Sequence, residues 1–107
     1  MNKQVKQKWV KALRSGKYKQ GIGKLCYGNQ NGKFLCCLGV LSTLAVEDGV
    51  CSRRTAFKGN NVLNYKVMQW AGLQDDNPDA GCLTLTEQND DAKLSFKQIA
   101  DLIEKKL

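Results

Sequence analysis

Histidine is missing from this chain altogether, and no acidic residue occurs before Glu47. The first absence removes Ser-His-Asp and Cys-His catalysis, imidazole acid–base chemistry and the common zinc sites. The second leaves Lys3, Lys6, Lys8, Lys11, Arg14, Lys17, Lys19, Lys24 and Lys33 as nine positive charges in 46 residues without a carboxylate. Proline occurs once, as Pro78, which favours continuous structure with short connections. No repeat or low-complexity stretch interrupts the chain. Its longest apolar run, Phe34 to Leu41, is far below the roughly 20 residues of a membrane span, so no membrane partner is expected. The basic N-terminal segment has no apolar h-region, and no secretory signal is expected.

What is present is a chain of 107 residues, 42% hydrophobic, enough to bury a modest core as one domain over residues 1–107. Its formal net charge of +7 is unevenly placed, because the part from Glu47 onward holds eight basic and ten acidic residues. Such a split in general marks a surface that meets something anionic: nucleic acid, a nucleotide, a membrane surface or an acidic protein. Five cysteines (Cys26, Cys36, Cys37, Cys51 and Cys82) form an odd set with no C-x-x-C pair. That pattern predicts reduced thiols in a bacterial cytoplasm and no metal or other cofactor.

Periodicity and end signals predict an α+β fold, mostly helical, with about four to five helices and a small β-hairpin. Asn2 caps a helix from Lys3 to Ser15 whose Val5, Trp9, Ala12 and Leu13 share one stripe. Lys24 to Tyr27 and Lys33 to Leu35 are strands around a turn at Gly28-Asn29-Gln30-Asn31-Gly32. Cys36 to Val46 is apolar on nearly every side, as a central helix is, and Gly39 inside it admits a close backbone. Residues 50–61 read as irregular, with room for one short strand. Asn64 caps a short helix to Ala71, with Val67 and Trp70 inward and Gly72 ending it. Thr84-x-x-Glu87 and Ser95-x-x-Gln98 are capping boxes that start two more helices. The last carries Phe96, Ile99, Ala100, Ile103 and Leu107 on one face. Trp9, Trp70 and that face either fill one core or in part form a homo-oligomer interface.

The candidate ligand-binding residues are Arg14, Lys17, Tyr18, Lys19, Gln20 and Lys24, with Arg53 and Arg54 as a second basic cluster. Arginine grips phosphate or carboxylate bidentately, lysine adds charge, tyrosine stacks and glutamine hydrogen-bonds. Gly21-Ile22-Gly23 between Lys19 and Lys24 lacks both the Walker spacing and the G-x-G-x-x-G pattern. It reads either as a tight turn or as a basic turn that holds a phosphate passively. Cys26, between Lys24 and Lys33, is the one cysteine placed to be a thiolate nucleophile; the competing reading is a small residue filling a strand face.

The blocks Trp9 to Leu25 (WVKALRSGKYKQGIGKL), Phe34 to Leu41 (FLCCLGVL), Trp70 to Leu73 (WAGL) and Ser95 to Glu104 (SFKQIADLIE) resemble a family of small uncharacterised tailed-phage proteins. They fall in order over nearly the whole chain, which departs from its relatives by the extra Leu35 before the cysteine pair. The resemblance implies phage origin, a location in the host bacterial cytoplasm and a fold, but no catalytic residues. The expectation is a non-enzymatic accessory protein that binds an anionic target. An anti-defence role, sequestering a nucleotide-type signal or blocking an acidic host protein, ranks ahead of the alternative of nucleic-acid binding.

Overall fold

A computed structural model describes residues 1–29, 32–58, 61–80 and 83–107. Along the chain run α1 (Lys3–Arg14), β1 (Lys19–Gln20), β2 (Cys26–Asn29), β3 (Gly32–Leu35), α2 (Cys37–Glu47), α3 (Arg53–Ala56), α4 (Tyr65–Ala71), α5 (Leu85–Asp90) and α6 (Phe96–Lys106). The fold is α+β and mostly helical, as the sequence predicts, with six helices among the described residues rather than four or five. The additional one, α3, is a single turn capped by the Ser52 hydroxyl. Four residues are too few to show a helical period, so the segment reads as irregular.

The sheet is larger than the expected hairpin. β2 and β3 pair antiparallel, Tyr27 opposite Phe34 and Cys26 opposite Leu35. β1 then joins the other edge of β3 in parallel, Lys19 level with Phe34 and Gln20 with Leu35. A two-residue strand paired parallel to a distant segment has no alternation of its own to announce it. Gln30 and Asn31, the centre of the expected turn, and Cys82 lie outside the described residues.

α2 is the axis of the core. Cys37, Leu38, Val40, Leu41 and Ala45 are fully buried, each large apolar side chain contributing about 2 kcal/mol by leaving water. Ser42 and Thr43 are buried with them, and their hydroxyls donate to the Leu38 and Gly39 carbonyls one turn back, so neither hydroxyl is stranded. α1 lays Val5, Trp9, Val10 and Leu13 against this core. Val10, rather than the expected Ala12, completes the stripe, and the Trp9 indole N–H donates to the Cys37 carbonyl at 3.0 Å. α6 buries Phe96, Ile99, Ala100 and Ile103. In α4, Val67 is fully buried, while Trp70 is half-buried and donates its indole N–H to Asp48 at 3.0 Å.

The helix starts follow the local signals. Asn2 and Asn64 accept from backbone N–H groups of the first turn, and both capping boxes are closed in both directions. Each such cap is worth about 1 kcal/mol. Gly72 takes the left-handed conformation at the end of α4 (φ 70°). No described helix is long and apolar enough to cross a membrane.

Candidate anion-binding cleft

Strand alternation divides the basic loop that follows α1. Lys19, Phe34 and Tyr27 form one row across the sheet, the two rings stacked at 5.2 Å and the Lys19 ammonium 5.8 Å from the Phe34 centroid. The opposite side of the sheet carries Lys33 and Leu35, by the period of two. There Lys17, Tyr18, Lys33, Leu35, Thr43 and Arg53 line a cleft of about 250 Å3. Four parts of the chain meet in it: the loop before β1, β3, α2 and α3.

Leu35 and Thr43 form a buried floor, while Lys17, Lys33 and Arg53 are exposed and Tyr18 is half-buried. Among the described residues no carboxylate lines the cleft. Two of its three cations lie against aromatic rings. The Lys17 ammonium sits 5.4 Å from the Tyr18 ring, and the Arg53 guanidinium 4.9 Å from the Phe57 ring. Cation–π contacts orient a charge without neutralising it. Arg53 also donates to the Cys26 sulfur at 3.8 Å.

Of the residues singled out from sequence, the structure brings Lys17, Tyr18 and Arg53 together and adds Lys33. The other five lie outside the lining, and two of them are bonded within the chain. Arg14 is bidentate to Glu104, at 3.1 and 3.4 Å, and reaches Asp101 at 2.6 Å. Glu104 first and Asp101 second hold this guanidinium in its charged form and raise its pKa. Gln20 donates to Asn89 at 2.9 Å and to the Leu94 carbonyl at 2.7 Å, tying β1 to the end of α5. Lys19 belongs to the opposite sheet face, Lys24 is exposed in the loop before β2, and Arg54 is exposed on α3 beside the cleft rather than in it. Lys33 was discoverable from its place two residues before buried Leu35 at the end of β3, on the same side of the strand.

The cysteines divide by burial. Desolvation pushes the Cys36 thiol up to about 11 and the fully buried Cys37 well above its ordinary range. Among the described residues no three His, Cys, Asp or Glu groups gather as a metal would require. The native protein is expected to take up a neutral alkylating reagent at half-buried Cys26 and Cys51 while Cys36 and Cys37 stay unmodified; peptide mapping by mass spectrometry reads each. Below pH 9 these two thiols are neutral in the folded and unfolded chains alike. Above it the unfolded chain ionises first, so stability falls as pH rises from 9.0 towards 11.

The family described as "Domain of unknown function (DUF8296)" matches residues 1–107. The chain belongs to it. No curated protein and no solved structure matches the chain. Family membership therefore brings no reaction and no ligand.

Proposed function

We propose that this is a non-enzymatic phage accessory protein that works in the cytoplasm of the bacterial host by capturing an anionic ligand. A nucleotide-type signal is the ligand the cleft suits best, which makes the role anti-defence. The observation that carries this reading is the meeting of Lys17, Lys33 and Arg53 with Tyr18 over a buried floor of Leu35 and Thr43, with no carboxylate in the lining among the described residues.

Each residue has a distinct task. Arg53 offers a planar fork for two phosphate oxygens, and Lys17 and Lys33 supply charge from the other walls. Tyr18 offers a ring face to a base. A volume of about 250 Å3 is just below the range of drug-sized pockets, so the cleft suits one phosphorylated moiety, with the remainder of a larger ligand outside. The non-enzymatic reading is supported by the lack of histidine and by the burial of Cys36 and Cys37.

Titration calorimetry with inorganic phosphate and with mono-, cyclic and dinucleotides tests this at two salt concentrations. A nucleotide is expected to bind more tightly than phosphate. Arg53→Ala is expected to weaken it about tenfold or more, the value of a charged hydrogen bond. Full binding by Lys17→Glu/Arg53→Glu would refute the assignment. Silence from every nucleotide, with duplex DNA binding that falls steeply with salt, would replace it by the nucleic-acid alternative.

A further inference from the structure

A second cationic surface lies on α1 and has a different character from the cleft. Lys3, Lys6, Gln7, Val10, Lys11 and Arg14 line a groove of about 640 Å3, with Ser15 and Glu104 at its margin. At 3.6 residues per turn these α1 positions occupy an arc of about 140°, with Lys6 on one edge and Lys11 on the other. Val10, Lys3, Arg14 and Gln7 fall between them. Val10 is 5% exposed and forms the floor. Lysine stems add methylene walls whose ammonium ends remain in water.

The acid at the margin is already engaged. Glu104 and Asp101 are both bonded to Arg14, so this corner is closed on itself and Arg14 is a wall rather than a grip. Among the described residues neither Lys3, Lys6 nor Lys11 forms an ion pair. The groove thus combines carbon walls with a rim of one sign. α1 has 12 residues and is about 18 Å long.

We propose that this groove docks an acidic amphipathic helix of a partner protein, its apolar side chains against Val10 and the lysine stems and its carboxylates on Lys3, Lys6 and Lys11. Lys3, Lys6 and Lys11 stand three and five residues apart, steps of about 4.5 and 7.5 Å along α1, and carboxylates three and five residues apart on another helix have the same rise. A phosphate backbone would satisfy the ammonium groups and leave the carbon walls without a counterpart, which is why a protein segment is the occupant. The proposal does not depend on the nucleotide cleft, from which it differs in every lining residue.

The probe is a fluorescein-labelled peptide of about four helical turns built from glutamate on one face and leucine on the other. Competing probes are polyglutamate and a duplex DNA, all measured by anisotropy on the full chain. The amphipathic peptide is expected to bind at least about tenfold more tightly than polyglutamate, because only it has an apolar face. Lys3→Glu/Lys6→Glu/Lys11→Glu is expected to lose that binding by at least about tenfold, while Lys58→Glu/Lys66→Glu/Lys97→Glu, with the same change in net charge, changes it little. Glutamate at positions 3 and 6 suits the helix dipole at the start of α1, while Lys11→Glu in the last turn opposes it; all three side chains lie outside the buried core, so the first variant is expected to keep its fold, which circular dichroism checks. Arg53→Glu should bind the peptide normally and so separates failure of the cleft from failure of the groove. Equal binding of peptide and polyglutamate, preference for DNA, or equal losses in the two triple variants would each overturn the proposal. So would a dimer seen by sedimentation velocity that the first triple variant abolishes, since the occupant would then be a second copy of the chain.

Discussion

Replacing Gly39 by alanine is expected to destabilise the protein by on the order of 3 kcal/mol, the upper range for overpacking a core. Helix propensity alone predicts the opposite, a gain of about 0.9 kcal/mol for alanine over glycine in a helix interior. Packing decides the sign. A Cβ built on Gly39 runs into the backbone carbonyl of Leu25, with the Leu35 side chain close on another side at 3.3 Å. That carbonyl cannot swing aside freely, because it accepts from the Cys36 N–H at 3.2 Å. Leu25 itself is fully buried just before β2. Alanine must therefore push α2 away from the sheet or break the bond that joins the end of β3 to the start of β2. Denaturant unfolding followed by tryptophan fluorescence measures the loss; an unchanged or raised midpoint would mean that the sheet moves off α2 at little cost.

The starts of α1, α4, α5 and α6 were legible because they follow from residues two or three apart, and Asn2, Asn64, Thr84–Glu87 and Ser95–Gln98 act over that distance. The central position of α2 was legible from its lack of a polar face. β1 was not, since its partner lies fifteen residues further on and two residues carry no pattern. α3 was hidden for the same reason: one turn capped by Ser52 has no period.

The basic surface was legible as a charge imbalance and illegible as geometry. Lys17, Tyr18, Lys19 and Gln20 are neighbours in sequence, yet the pleat sends Lys19 to the Phe34 face while Lys17 and Tyr18 join Lys33 and Arg53. Arg14 looked like a free cation because its carboxylate partners stand 87 and 90 residues away. Sequence reasoning counts charges; which of them remain unneutralised is a tertiary property.

Asn89→Ala is expected to cost on the order of 3 kcal/mol and, unlike a core truncation of similar size, to weaken ligand binding at the cleft. Asn89 is fully buried at the end of α5. Its amide nitrogen donates to the Gly21 carbonyl at 2.8 Å and to Asp90 at 2.7 Å, and its oxygen accepts from Gln20 at 2.9 Å. The next bond outward is Gly21 N–H to the Leu35 carbonyl at 2.7 Å, which continues the pairing of β1 with β3. One side chain from the acidic half thus fixes the strand that follows Lys17 and Tyr18, opposite the strand that carries Lys33. Truncation strands the Gly21 carbonyl and removes one partner of Gln20 in a place water does not reach, which is where an unmade hydrogen bond costs most. The melting temperature should fall by roughly 15 °C for a chain of this size. The informative comparison is Ile99→Ala, a truncation in α6 with a similar stability loss. Well below both melting temperatures, Ile99→Ala should bind a cleft ligand normally, because it leaves β1 in register. Asn89→Ala should bind several-fold more weakly, because Lys17 and Tyr18 then sample positions away from Lys33 and Arg53. Equal affinities in the two variants would show that the cleft does not rely on this network for its shape.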